Sequence, residues 1–128
     1  MDQPDAIEMP IIRMIAMPAD TNPEGDIFGG WLMAHMDLAA GSIAARRARG
    51  RIATVAVDGM SFLKPVAVGD EVSFYGHIVS EGRTSLKIHI DAWRRLRDQD
   101  ERMKVTEAKF TFVAIDENGR PRPLPRAP

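Results

Sequence analysis

Two periodicities divide the chain, a helical one before Gly50 and an alternating one after it. From about Gly29 to Arg49 the sequence is rich in Ala, Leu and Met, with Trp31, Leu32, Met33, Met36, Leu38 and Ile43 among many alanines. These are good helix formers, and about twenty of them span roughly 30 Å as a helix. The apolar positions run nearly all the way round, which predicts a helix buried on most sides. Arg46, Arg47 and Arg49 fall in its last turns, where cations complement the helix dipole, and Gly50 supplies a natural stop.

Beyond Gly50 the period changes to two. Thr84, Leu86, Ile88, Ile90 and Ala92 share one face, while Arg83, Ser85, Lys87, His89 and Asp91 share the other, as in a strand with one wet side. Val72, Phe74 and Ile78 alternate with Ser73, Tyr75 and His77 just before it, and Glu81-Gly82 separates the two runs, which predicts an antiparallel hairpin. A further strand runs from about Lys104 to Ile115, with Ala108, Phe110, Phe112 and Ala114 on one face, after a charged turn at Arg97–Arg102. Ile52 to Leu63 and Ile11 to Met17 complete a five-strand reading. The order is strand, long helix, then four strands joined by short turns. It predicts an α+β fold in which an antiparallel sheet wraps around one central helix. One helix cannot cover both faces of such a sheet, so the other face either stays polar or meets another subunit.

A chain of 128 residues is one domain. The expected organisation is an extension at 1–10, the domain at 11–119 and a proline-rich tail at 120–128. Four prolines between Arg120 and Pro128 rule out helix and central strand, so this end is read as an extended surface tail. A formal net charge of -1 provides no general attraction for nucleic acid. The absence of cysteine excludes a disulfide scaffold, a thiolate zinc site and a cysteine nucleophile, and fits a reducing compartment. The acidic start lacks the basic and apolar regions of a signal peptide. The most apolar stretch, Ile27 to Ala45, carries His35 and Asp37, which argues against a membrane span. The expectation is a cytoplasmic protein.

Two glycines at a helix start, in Gly25-Asp26-Ile27-Phe28-Gly29-Gly30, leave backbone N–H groups open to an approaching acceptor, although tight packing or a turn explains them equally simply. No Gly-Lys-Ser/Thr follows, so this is not a phosphate loop, and the glycine spacing does not fit a dinucleotide site. Asp37 stands mid-helix, where Asp has poor propensity, with Met33, Ala40, Gly41 and Ala44 on its side. A carboxylate in such company suits a general base; the alternative is an Asp at a solvated subunit seam. His35, His77 and His89 show no ligand spacing, so no metal site is expected. His35 lies on a different helix face from Asp37.

The segment Ala16-Met-Pro-Ala-Asp-Thr-Asn-Pro-Glu-Gly-Asp-Ile-Phe-Gly-Gly-Trp-Leu-Met-Ala-His-Met-Asp37 closely resembles the hotdog acyl-CoA thioesterases, in the short bacterial YciA-like branch. The likeness continues through Met60-Ser-Phe-Leu-Lys-Pro-Val-Ala-Val-Gly-Asp70, Gly82-Arg-Thr-Ser85 and Phe110-Thr-Phe-Val-Ala-Ile-Asp116, and covers about residues 11 to 124. It implies a hotdog fold, dimers that join two sheets, often a trimer of dimers, and hydrolysis of acyl-CoA to a carboxylic acid and free CoA. Coenzyme A is then part of substrate and product, and no cofactor is required. Asp37 matches the family's catalytic acidic position.

That chemistry needs a base to activate water and donors for the developing oxyanion. Gly29 and Asp37 are eight residues apart, about 12 Å along a helix, while base and donors must converge on one carbonyl. The expected site therefore pairs Asp37 of one subunit with Gly29 or Gly30 N–H groups of its dimer partner. Asn22 and Asp26 match a family loop that orients water or thioester, although turn chemistry explains them as well. Lys64, Arg83 and Lys87, with Thr84 and Ser85 as neutral donors, are the candidates for the CoA phosphates, against the plain alternative of solvated surface groups. Met33, Met36 and Met60 shape either an acyl pocket or the core. Two rivals stand beside the thioesterase: a hotdog hydratase or dehydratase, which would need a catalytic His missing from this helix start, and a non-catalytic acyl-CoA-binding protein.

Overall fold

The computed structural model describes residues 9–126. Strand β1 (Ile12–Ile15) leads through a single 3-10 turn at Pro18–Asp20 to helix α1 (Gly29–Ala48). Strands β2 (Ile52–Phe62), β3 (Glu71–Glu81), β4 (Ser85–Arg95) and β5 (Arg102–Ala114) follow. All five strands join one antiparallel sheet in the order β1-β3-β4-β5-β2. The predicted hairpin is present, with His77 opposite His89 and Gly82 N–H on the Ser85 carbonyl at 2.8 Å.

The four later strands are not all joined by short turns. β2 lies at one edge against β5, while β3 lies across the sheet, so residues 63–70 form a crossing connection rather than a hairpin. Buried Asp70 ties this connection down by accepting the Ala67 N–H at 2.9 Å and Arg94 Nη1 at 3.3 Å. β2 is bulged twice, at Thr54/Ala56 and Asp58/Ser61, with Gly59 at φ 71° inside the second irregularity. Such bulges bend an edge strand and re-aim its side chains.

The core lies between α1 and the inner sheet face. Met36, Ala40 and Ala44 pack there with Phe74, Leu86, Ile88, Ile90, Phe110 and Phe112, all essentially inaccessible to solvent. The inward faces read from the alternation of β4 and β5 are those observed. Gly76 is required by this packing, since a Cβ there would lie 2.7 Å from the His89 carbonyl oxygen and against the Ile90 side chain. The wet face of β4 is only half exposed: Tyr75 and Trp93 are buried on that side, the first receiving a hydrogen bond from Arg102 Nη1 at 2.8 Å.

Three expectations about the helix and the tail are corrected. α1 is not buried on most sides, because the sheet covers one face and leaves Met33 at 41 % and Leu38 at 63 % exposure. Nor does Gly50 take the left-handed position that ends the helix; Arg49 does, at φ 56°. Residues 120–126 are extended but docked: Leu124 N–H donates to the Arg83 carbonyl at 2.9 Å, and Arg47 Nη1 donates to the Pro125 carbonyl at 2.7 Å. Leu124 reaches the core cluster, which explains why a proline-rich segment stays against the domain.

Candidate active site

α1 begins without a side-chain cap. Phe28 is the N-cap, and the first helical hydrogen bond runs from Trp31 N–H to the Phe28 carbonyl at 3.0 Å. The amides of Gly29 and Gly30 come before it, in the part of a helix that carries open donors and partial positive charge. The two glycines serve different surroundings. A Cβ on Gly29 would meet the Phe62 ring at 2.8 Å, so its missing side chain makes room for β2. Gly29 borders a concavity with Ile27, Leu32, Phe62 and Lys64. Gly30 instead borders a second, open groove of about 320 Å³, whose other walls include Met33, Ala34, Asp37, Thr54 and Val57.

Asp37 is half-buried at the floor of that groove, on the flank of α1 that faces β2. Its Oδ1 accepts the Thr54 hydroxyl at 2.7 Å. A hydrogen bond of this length restrains the Asp37 side chain through one oxygen at the groove wall. Thr54 was not among the residues singled out from the sequence. Its only local signal is a hydroxyl within the otherwise apolar run Ile52-Ala-Thr-Val-Ala-Val57, and its partnership with Asp37 depends on how β2 crosses the helix.

The loop before α1 is organised by Asn22. Its Oδ1 accepts the N–H groups of Glu24 and Asp26, both at 3.0 Å, and its own N–H donates to the Asp26 carbonyl at 2.7 Å. Gly25 at φ 87° completes the turn. The Asn22 oxygen is thus committed to backbone, while the Asp26 side chain is exposed. The cationic candidates are separated. Lys64 sits beside the start of α1, whereas Arg83 and Thr84 lie at the hairpin end where Glu81 meets Arg47, near the other end of a helix of about 30 Å. The Arg83 and Thr84 carbonyls accept Leu124 N–H and Ala114 N–H, and Ser85 and Lys87 continue into β4 opposite Val113 and Thr111.

His35 faces away from Asp37. Its Nδ1 donates to the Trp31 carbonyl at 2.8 Å, and its ring lies between Trp31 and Phe74. Among the described residues no three of His, Asp and Glu converge as metal ligands would, and no helix is long and apolar enough to cross a membrane. Met33 lines the Asp37 groove and Met36 is in the core, with Met60 packed against it.

The chain is similar to known proteins over most of its length. Residues 24–99 match the family model of the thioesterase superfamily. The acyl-CoA thioester hydrolase YciA of Escherichia coli is 50 % identical over 118 residues, spanning 90 % of this chain and 89 % of the relative. An uncharacterised acyl-CoA thioester hydrolase of Zymomonas mobilis is 54 % identical over 91 % of this chain and 78 % of its own length. The hexameric thioesterase y2039 of Yersinia pestis superposes with a TM-score of 0.88 at 49 % identity, covering 94 % of this chain and 98 % of the other. A hexameric hotdog-fold thioesterase of Campylobacter jejuni superposes at 0.87 with 32 % identity, covering 94 % and 93 %. Sequence and backbone agree over nearly the whole domain, and the chain belongs to the thioesterase superfamily of hotdog-fold proteins, in its YciA-like branch.

Proposed function

We propose that this chain hydrolyses acyl-CoA to a carboxylic acid and free CoA, with Asp37 as the base that activates water. The observation that carries this reading is the Asp37 carboxylate, held through one oxygen by Thr54 at the floor of an open groove. Water bound to Oδ2 would give up its proton as it attacks the thioester carbonyl, and the thiolate of CoA would leave. Relatives described as acyl-CoA thioester hydrolases, including a solved aspartate-to-alanine mutant enzyme, support the same chemistry. The His35 environment disfavours the hydratase, because that ring is engaged by Trp31 on the opposite flank.

The site needs a second copy. Gly30 and Asp37 are seven residues apart on α1, about 10 Å along its axis, too far for both to reach one carbonyl. β2 is an edge strand with a free side, and around it lie Phe28, Met33, Leu38, Val55 and Phe62, all more than a third exposed. An apolar patch along an open edge is a surface that natural proteins cover. Antiparallel pairing of two such edges would join the sheets into one and bring the partner's helix start toward Asp37 by two-fold symmetry. Such dimers grouped in threes would match the hexameric state named for the solved relatives.

Thiol release from a panel of short- to long-chain acyl-CoAs tests both parts. Asp37→Ala should lose about 10²–10⁴-fold in rate while keeping its circular dichroism and oligomeric size. Gly30→Pro should also be inactive, because proline removes the N–H that Gly30 would offer to the partner's site while fitting the first turn of a helix. Refolding the two variants together should restore about a quarter of wild-type activity, because half the dimers are mixed and each carries one intact site. An active Asp37→Ala would remove the base assignment, and no recovery on mixing would place the donors and the base in the same subunit.

A further inference from the structure

We propose that the arginine-lined concavity at the end of α1 binds the phosphates of a nucleotide. This concavity, of about 430 Å³, is separate from the Asp37 groove. Its walls come from the last turns of α1 (Ile43, Arg46, Arg47 and Arg49), from Ile78 of β3, and from the docked tail at Pro125 and Arg126. Arg46 lies nine residues beyond Asp37, about 14 Å along the axis, and on the flank that faces β3 rather than β2. The inference does not rest on the role of Asp37.

Charge is the first argument. Arg47 is neutralised by Glu81, which accepts Nε at 2.7 Å and Nη2 at 2.8 Å, and its remaining Nη1 holds the Pro125 carbonyl. That fixes one wall. Among the described residues Arg46, Arg49 and Arg126 have no carboxylate partner, and no acidic side chain lines the concavity. Three unmatched positive charges outweigh the partial charge of about -0.5 at the helix C-terminus. Guanidinium groups recognise phosphate through paired N–H donors.

Shape is the second. Inorganic phosphate alone would leave Ile43, Ile78 and Pro125 wet, whereas a base and sugar would cover them and stack on guanidinium planes. The Arg47–Glu81 pair and the tail hold the walls in place before any ligand arrives. A nucleoside diphosphate supplies both the anionic groups and the planar body. Two sources share this chemistry: a free nucleotide, and the nucleotide end of a CoA ester.

Calorimetric titration of the full-length oligomer with ADP, and separately with CoA, tests the assignment. The double variant Arg46→Gln/Arg49→Gly removes two guanidinium groups and relaxes the left-handed Arg49, so the fold is retained and elution volume checks it. Binding of ADP that falls at least tenfold in the double variant but is unchanged in Asp37→Ala establishes a free-nucleotide site. Loss confined to CoA, with no ADP binding to the wild type, assigns the concavity to the nucleotide end of the substrate. Arg126→Gln should weaken the same ligand severalfold, and added salt should weaken it further. Equal affinities of wild type and double variant for both ligands, or no binding of either, overturn the proposal.

Discussion

On the flank of α1 that faces β3, His35 is held by the Trp31 carbonyl and Arg47 by Glu81 and Pro125, and the arginines at its end, Arg46 and Arg49, are left for a ligand. On the flank that faces β2, the Asp37 carboxylate meets, among the described residues, only the Thr54 hydroxyl, and the surroundings are exposed apolar side chains beside an unpaired strand edge. Both flanks belong to one helix of similar composition throughout. The first is closed by the chain itself except at its arginine-lined end; the second has the features of a surface whose other half comes from another copy. The proposed role of Asp37 as a base would use a carboxylate with an oxygen free of partners within the chain, which this flank allows.

The largest effect should come from spoiling the exposed flank without touching Asp37. Leu38 and Val55, 63 % and 56 % exposed, should both tolerate lysine in an isolated subunit. If they form the seam, Leu38→Lys/Val55→Lys should split the oligomer on size exclusion and lower thiol release by more than about 10²-fold, as loss of the shared donors would. A monomer of full activity would dissolve the contrast between the flanks.

Next is the hydrogen bond from Thr54 that restrains the proposed base, Asp37. Thr54→Val removes the hydroxyl that donates to Asp37 and should cut kcat about tenfold, the scale of a hydrogen bond to a charged group. KM should stay nearly constant, and Thr54→Ser should recover most of the rate. Equal loss in the serine variant would mean that the methyl group, not the hydroxyl, matters.

On the completed flank the response should be in stability alone. Leu124→Ala withdraws a partly buried side chain that anchors the tail, and should cost about 1–2 kcal/mol. Thermal melts would show it, while the rate per folded site stays at the wild-type value.

The smallest effect concerns the outer sheet face. Burial lowers the pKa of His89 from its ordinary value, against the raising influence of Asp91 and Glu107, with His77 and Lys104 also facing it. The unfolded chain then takes up a proton more readily than the folded one. The corresponding stability is present above about pH 6.5 and is lost as pH falls from there toward the lowered value. His89→Gln should flatten the decline in melting temperature between about pH 7 and 5. An unchanged slope would assign that decline to other groups.

Local pattern carried much of the fold. The helix was legible from its composition, and the inward faces of β4 and β5 from strict alternation, because both depend on residues a few positions apart. Asp37 stood out because an acidic residue inside an Ala- and Met-rich helix conflicts with its neighbours, and the motif around it resembles a known family. The placing of β2 at the sheet edge was not legible, since pairing with β5 joins residues such as Val57 and Phe110 that lie far apart in sequence. The same non-local register decides that Thr54 meets Asp37 and that Gly29 sits under Phe62. It also sends Lys64 and Arg83 to opposite ends of the helix, while the arginines at its end converge with the tail. Periodicity determined which side of each element is buried; only the tertiary structure decided which elements face each other, because loop closure and strand register depend on the whole chain at once.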